Sequence, residues 1–344
     1  MLFSKGKKLS LGFAVFELTD ACNQRCRFCY NYFKGEDSHC AVAAPDYRLA
    51  RRTLRRLMRQ ATIGSISFSG GEPMLMPKIH DLALYARFAG ANVNVLTNGT
   101  LLDDNDIAIF NDIGIGKIQI PILSDTAKLH DSITQLDGSW ERAMRAARSV
   151  AATRHDWLVP VFILSKMNVE RIEPTLEIFN ALGASYVMCN RFNIGGLGRH
   201  HAKELSLSHS ELRDAFSRVN SKAGELGMRV HSGVCTPMCV LDPKEYEHFL
   251  FTHCSTNMSE RPLTINYRGD VRFCNHSPRV LGNIYDESLR EIVERANSDA
   301  YFASVPDHCA ECKLWERCRG GCRAASEQLY GTFDRVDPIL DLND

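Results

Sequence analysis

Phe13-Ala14-Val15-Phe16-Glu17-Leu18-Thr19-Asp20-Ala21-Cys22-Asn23-Gln24-Arg25-Cys26-Arg27-Phe28-Cys29 joins a short apolar run to three cysteines. The run reads as a strand, and the cysteines fall in the loop that follows it. Five more short apolar or β-branched runs follow at Ser65–Ser69, Asn92–Thr97, Lys117–Leu123, Leu158–Leu164 and Tyr186–Asn190. Amphipathic helical patterns separate them at Pro45–Ala61, Lys78–Ala89, Asp103–Asp112, Ser139–Thr153 and Val169–Leu182, with Ser208–Leu226 after the last strand. Parallel strands need right-handed crossovers, so this alternation predicts a parallel sheet with helices on its outer face. Six repeats are too few for a closed eightfold barrel. The expected fold is therefore α/β, a partial (β/α)6 TIM-like barrel with its site at the C-terminal ends of the strands.

The motifs fall at those ends. Cys22–Cys29 follows the first strand, Gly70-Gly71-Glu72-Pro73 the second, Thr97-Asn98-Gly99 the third and Ser124-Asp125 the fourth. After Met228 the alternation stops and short strands, turns and cysteines take over, which reads as a second, metal-organised domain. The arginines of Tyr47–Ala61 (Arg48, Arg51, Arg52, Arg55, Arg56, Arg59) lie mostly opposite the stripe of Ala50, Leu54, Leu57, Met58 and Ala61. They are read as a solvated outer face, with docking of an acidic partner as the alternative.

Forty-one basic residues balance forty-one acidic ones, which gives no argument for nucleic acid or an anionic membrane as a partner. Residues 5–16 imitate a secretory signal only briefly, because Glu17 ends the apolar run and no cleavage pattern follows. No segment reaches the roughly 18 apolar residues of a membrane span, so a cytoplasmic protein is expected. The thirteen cysteines are grouped rather than spread: Cys22, Cys26 and Cys29 near the start, then Cys254, Cys274, Cys309, Cys312, Cys318 and Cys322. Tight groups converge on metal centres, whereas disulfide scaffolds scatter their bridges. Three local thiolates with no fourth nearby suggest a 4Fe-4S cluster with one open iron, and a zinc site with a distant fourth ligand is the competing reading.

Cys22-x-x-x-Cys26-x-Phe28-Cys29 after one strand, with Gly70-Gly71-Glu72-Pro73 after the next, resembles the radical S-adenosylmethionine superfamily. The resemblance implies that the open iron chelates S-adenosylmethionine, whose one-electron cleavage releases a 5'-deoxyadenosyl radical that abstracts a substrate hydrogen. It implies that Gly70 and Gly71 let the backbone approach the cofactor and that Glu72 accepts from its amino group. Phe28 and Tyr30 would stand near the adenine, and Asn98 and Ser124 would reach ribose or methionine. Many relatives carry an arginine after strand four where this chain has Thr134, and Arg191 at the end of strand six is read as its substitute at the cofactor carboxylate.

The C-terminal run Gly269-x(4)-Cys274, preceded by Cys254, then Cys309-x(2)-Cys312-x(5)-Cys318-x(3)-Cys322, resembles the SPASM domain, which carries auxiliary 4Fe-4S clusters; a zinc ribbon is the alternative. The expected division is an N-terminal segment 1–12, a radical SAM partial barrel 13–234, and a SPASM domain with C-terminal tail 235–344. The resemblance assigns Cys254, Cys274 and Cys322 to one auxiliary cluster and Cys309, Cys312 and Cys318 to another, each one ligand short. The family's last cysteine usually follows an Asp-Pro, and here Asp337-Pro338 leads into Ile339-Leu340. Cys235 or Cys239 is expected either to complete the first cluster or to return a hydrogen atom to a substrate radical. In the sulfatase-maturing branch an acidic residue follows the second SPASM cysteine; this chain has Asn275-His276, which disfavours that activity and leaves His276 as a proton acceptor.

Most SPASM enzymes modify peptides, so crosslinking, oxidation or epimerisation of a ribosomally made peptide is the first expectation. The alternative is an epimerase or dehydrogenase of a small polar molecule such as a sugar or cyclitol, or a tetrapyrrole-modifying enzyme. A pure electron-transfer module leaves Gly70–Pro73 unexplained. The partners expected are a flavodoxin or ferredoxin-type electron donor, the peptide or small polar substrate, and a separate peptide-recognition protein.

Overall fold

The computed structural model describes residues 8–34, 44–258 and 260–341. Part of the expected N-terminal segment, Cys40 and the end of the C-terminal tail lie outside the described residues. The strands are β1 Leu9–Thr19, β2 Ala61–Gly70, β3 Asn92–Leu96, β4 Ile118–Pro121, β5 Leu158–Leu164, β6 Tyr186–Arg191, β7 Arg229–Ser232, β8 Phe249–Phe251, β9 Leu263–Asn266, β10 Asp270–Arg272 and β11 Val280–Asn283. The helices are α1 Tyr47–Gln60, α2 Ile79–Phe88, α3 Asp104–Ile113, α4 Ala127–Thr134, α5 Ser139–Thr153, α6 Ile172–Ala181, α7 Ala202–Leu205, α8 His209–Leu226, α9 Leu289–Asn297, α10 Ala300–Ala303, α11 Trp315–Cys318 and α12 Arg323–Tyr330.

All the strands share one sheet in the order β11-β10-β9-β1-β2-β3-β4-β5-β6-β7-β8. From β1 to β8 every neighbouring pair is parallel, so all eight C-terminal ends lie on one rim. Two short strands thus extend the six expected from periodicity. The barrel stays open because β9, not β8, occupies the other edge of β1, pairing Ala14 with Leu263 through Glu17 with Asn266. The antiparallel strands β10 and β11 continue outward from β9. The sheet therefore runs through the expected boundary at residue 234 at both of its ends.

Each extension has an anchor. Phe249 and Phe251 of β8 stack on Phe216 of α8 at ring separations of 4.9 and 6.1 Å, which secures a strand too short to hold itself. On the other side Arg272 of β10 forms a fully buried ion pair with Glu17 of β1 and donates to the Ser277 carbonyl at 2.7 Å. The α1 arginines also take part: Arg52 and Arg56 lie over the Tyr285 ring, and Thr53 donates to the Tyr267 carbonyl at 2.7 Å. The face expected to be solvated is thus partly a joint to the C-terminal hairpin, with Arg48, Arg51, Arg55 and Arg59 left exposed.

Removing one partner of a buried ion pair costs about 3–5 kcal/mol, because the other charge is stranded, whereas replacing both by apolar groups costs much less. Arg272→Met should lower the free energy of anaerobic denaturant unfolding by about 3 kcal/mol, and Glu17→Leu/Arg272→Met should recover most of that loss. A double variant as unstable as the single one would contradict this role for the pair.

Candidate functional site

The end of β1 runs directly into the first cysteine loop, and β2 closes on it. Gly71 N–H donates to the Thr19 carbonyl at 2.8 Å and Glu72 N–H to the Ala21 carbonyl at 2.7 Å. A Cβ on Gly71 would lie 1.9 Å from the Ala21 oxygen, and one on Gly70, at φ +122°, would lie 2.3 Å from the Thr19 oxygen. The two glycines are therefore required where the backbone meets the root of the cysteine loop, a constraint that stands whatever their approach to a cofactor.

Glu72 is buried and accepts from Thr97 Oγ1 at 2.6 Å, Met74 N–H at 3.0 Å and Asn98 N–H at 2.7 Å. Burial raises its carboxyl pKa, and these three donors oppose that. Asn98 donates through Nδ2 to Asn23 Oδ1 at 2.8 Å, and Asn23 donates to Thr100 Oγ1 at 2.8 Å. The strand-three turn is thereby sewn to the cysteine loop. Ser124 Oγ is held within its own turn by Asp125 and Thr126, at 3.2 Å from each, and Asp125 pairs with Arg171.

Lys34 is 3% exposed and donates to the Gln24 carbonyl at 3.3 Å, within electrostatic reach of Cys22, Cys26 and Cys29, whose charge when ionised raises the ammonium pKa against the cost of burial. Sequence reasoning passed over it. The signal was a lone lysine closing the Tyr30-Asn31-Tyr32-Phe33 stretch just after the third cysteine. The Cys29 carbonyl accepts from Gly198 N–H at 3.0 Å, and a Cβ on Gly196 would lie 2.7 Å from that carbonyl. The Gly195–Gly198 turn after β6 is thus a second close approach that the sequence reading missed. Phe28 packs on Phe192, Ile194 and Leu205 beside it.

Arg191 is not available to a cofactor carboxylate. Its guanidinium is buried in an ion pair with Asp337 and donates to Thr236 Oγ1 at 3.0 Å and the Cys235 carbonyl at 2.9 Å. His276 is likewise not free to act as a base. Its ring stacks on Tyr30 at 4.8 Å, Nδ1 meets Asn193 Nδ2 at 2.8 Å, and Nε2 meets the Ile194 carbonyl at 2.9 Å. A carbonyl only accepts, so Nε2 carries the proton, and burial pushes the imidazole pKa down to about 4.

The other cysteines form two groups. Cys235, Cys254, Cys274 and Cys322 lie close enough to perturb one another, with the Cys235 and Cys254 thiols coupled most strongly, and Arg261 donates to Cys254 Sγ at 3.9 Å. Asn193 Nδ2 donates to Cys322 Sγ at 3.2 Å. Cys239, Cys309, Cys312 and Cys318 line a cavity of about 80 Å³. Cys189 is buried in the β6 core, away from both groups. Among the described residues no three Cys, His, Asp or Glu side chains gather in the manner of a single-ion site.

A parallel α/β barrel whose strand-end rim carries a three-cysteine loop, with two further thiol groups packed beside it, is the frame of an iron-sulfur enzyme. The Radical SAM superfamily model matches residues 16–179, and the model of an iron-sulfur cluster-binding domain, SPASM, matches residues 254–323. The chain belongs to the radical SAM enzymes with a C-terminal SPASM domain. It is similar to the PqqA peptide cyclase of Gluconobacter oxydans (strain 621H), 26% identical over 95% of this chain and 89% of that protein. The PqqA peptide cyclase of Xanthomonas euvesicatoria pv. vesicatoria (strain 85-10) is 25% identical over 95% of this chain and 87% of its own length. The fold is shared with anSMEcpe solved with AdoMet and the Cp18Cys peptide (TM-score 0.70, 17% identity, 96% of this chain, 94% of that one). It is shared also with Streptococcus suis SuiB bound to precursor peptide SuiA (TM-score 0.71, 14% identity, 96% and 75%).

The family's cofactors are 4Fe-4S clusters and S-adenosylmethionine. All-sulfur donor groups suit iron-sulfur clusters, and a buried lysine amid three thiols offsets the charge that thiolate ligation brings. Gly71→Ala should push the Ala21 carbonyl and the cysteine loop apart. Iron content of the anaerobically loaded protein should fall by about four per chain, with loss of the reduced-cluster EPR signal that responds to S-adenosylmethionine. Wild-type iron and an unchanged response would contradict the constraint.

Proposed function

We propose that this chain modifies a ribosomally made peptide by joining two of its side chains. The near end-to-end similarity to proteins named PqqA peptide cyclase carries the reading. That the fold is shared with two proteins solved with peptides bound agrees with it. When bound, a reduced four-iron cluster with an open iron supplies the electron that splits S-adenosylmethionine, and the 5'-deoxyadenosyl radical takes a substrate hydrogen atom. Cys22, Cys26 and Cys29 would hold that cluster, Lys34 would balance its charge, and Glu72, already fixed by Thr97, Met74 and Asn98, would accept from the cofactor's amino group.

Joining two carbons removes two hydrogens from the peptide. One leaves as an atom, ending in 5'-deoxyadenosine. The other leaves as a proton and an electron, the electron going to a one-electron carrier of the flavodoxin or ferredoxin type. Tyr30, next to Cys29, stacks on His276, two residues after Cys274, and so joins the first cysteine loop to the C-terminal thiol segment. Asn275 steadies it, donating to Tyr30 Oη at 2.5 Å. A separate peptide-recognition protein would present the substrate to this rim.

The test is anaerobic incubation of cluster-loaded protein with S-adenosylmethionine, dithionite and the short peptide encoded by the reading frame nearest its own gene. The expected product is lighter by two hydrogens, with fragment ions missing between the joined residues and one 5'-deoxyadenosine formed per product. Unchanged peptide alongside turnover of a sugar or cyclitol would overturn the reading.

A further inference from the structure

The two C-terminal thiol groups are joined by one loop. Cys235-Thr236-Pro237-Met238-Cys239 follows β7 and sends its first cysteine to one group and its last to the other. We propose that Cys235 is the fourth ligand of the cluster held by Cys254, Cys274 and Cys322, and Cys239 the fourth ligand of the cluster held by Cys309, Cys312 and Cys318.

Three observations carry the assignment. The first is that the loop is held in place from both sides. Arg191 grips the Cys235 carbonyl at 2.9 Å and Thr236 Oγ1 at 3.0 Å, while Met238 N–H donates to Cys318 Sγ at 3.3 Å. The second is its packing. A Cβ on Gly321, at φ +81°, would lie 2.6 Å from Pro237 Cδ, so only glycine lets the Cys318–Cys322 turn sit against this loop. The third is that the C-terminal segment reaches the same place without a donor. Leu340 lines the same cavity as Cys239, Cys309, Cys312 and Cys318, and Asp337 is spent on Arg191 and on the Cys322 N–H at 2.7 Å. The sulfur that Ile339-Leu340 cannot supply comes instead from the loop after β7.

Both auxiliary clusters are then closed by four cysteines. Neither has an open iron for substrate, and neither loop thiol is free to return a hydrogen atom to a substrate radical. This assignment rests on membership of the SPASM enzymes and not on the peptide reading, and its test involves no substrate.

Anaerobically loaded full-length protein should hold about twelve irons, four per cluster. Cys235→Ala and Cys239→Ala should each retain about eight, and each should lose a different dithionite-reduced EPR signal while keeping the one that shifts with S-adenosylmethionine. The isosteric Cys235→Ser and Cys239→Ser variants should keep the fold by circular dichroism and alter the EPR signal of one cluster each, and Cys189→Ala should match wild type. Wild-type iron and spectra in both serine variants would overturn the assignment. Loss of one and the same signal in the two alanine variants would overturn it as well, since both thiols would then serve one cluster.

Discussion

A Cβ on Gly71 would stand 1.9 Å from the Ala21 carbonyl oxygen, and the architecture of the site follows from that close approach. Because β2 can close on the end of β1, the Thr19 and Ala21 carbonyls are satisfied before the chain turns into Cys22. Glu72 is delivered to the same place and gathers Thr97 and Asn98, and Asn98 in turn fixes Asn23. Three parallel strand ends are thus tied to one loop by hydrogen bonds in a buried setting, where each counts for more than in water.

The other edge of β1 brings the C-terminal region to that loop. β9 pairs with β1, and the buried Arg272–Glu17 pair makes the hairpin part of the barrel's own sheet. Gln328 of α12 completes the joint, donating to the Tyr30 carbonyl at 2.8 Å and the His276 carbonyl at 2.6 Å while accepting from Gly196 N–H at 2.8 Å. The first cysteine loop, the turn after β6 and the SPASM segment therefore meet at one side chain.

Much of this was legible in the sequence. Strand β5 and helix α5 were read with the bounds they have, since a solid apolar run and a long amphipathic period leave little room for error. Strands β7 to β11 span three or four residues each, and their existence depends on partners distant in sequence, such as Phe216 beneath β8. Position at a strand end was also legible, but side-chain direction was not. Arg191 sits at the strand end where the sequence predicts a cofactor arginine, yet it turns to Asp337, a partner 146 residues away. The sequence offers His276 as a proton acceptor, and only the fold shows both of its nitrogens occupied. Cys235 and Cys239 carry no spacing that divides them between two groups; the division depends on Pro237 meeting Gly321.

In the proposed ligand set one iron of this protein stays open and cysteine closes every other iron site. Mössbauer spectroscopy of protein loaded with ⁵⁷Fe, with and without S-adenosylmethionine, tests it most directly. The expected spectrum shows about twelve irons in 4Fe-4S clusters, of which about one changes its isomer shift and quadrupole splitting when S-adenosylmethionine is added. Persistent non-cysteinyl iron sites in a second cluster, present without S-adenosylmethionine and unchanged by it, would contradict it.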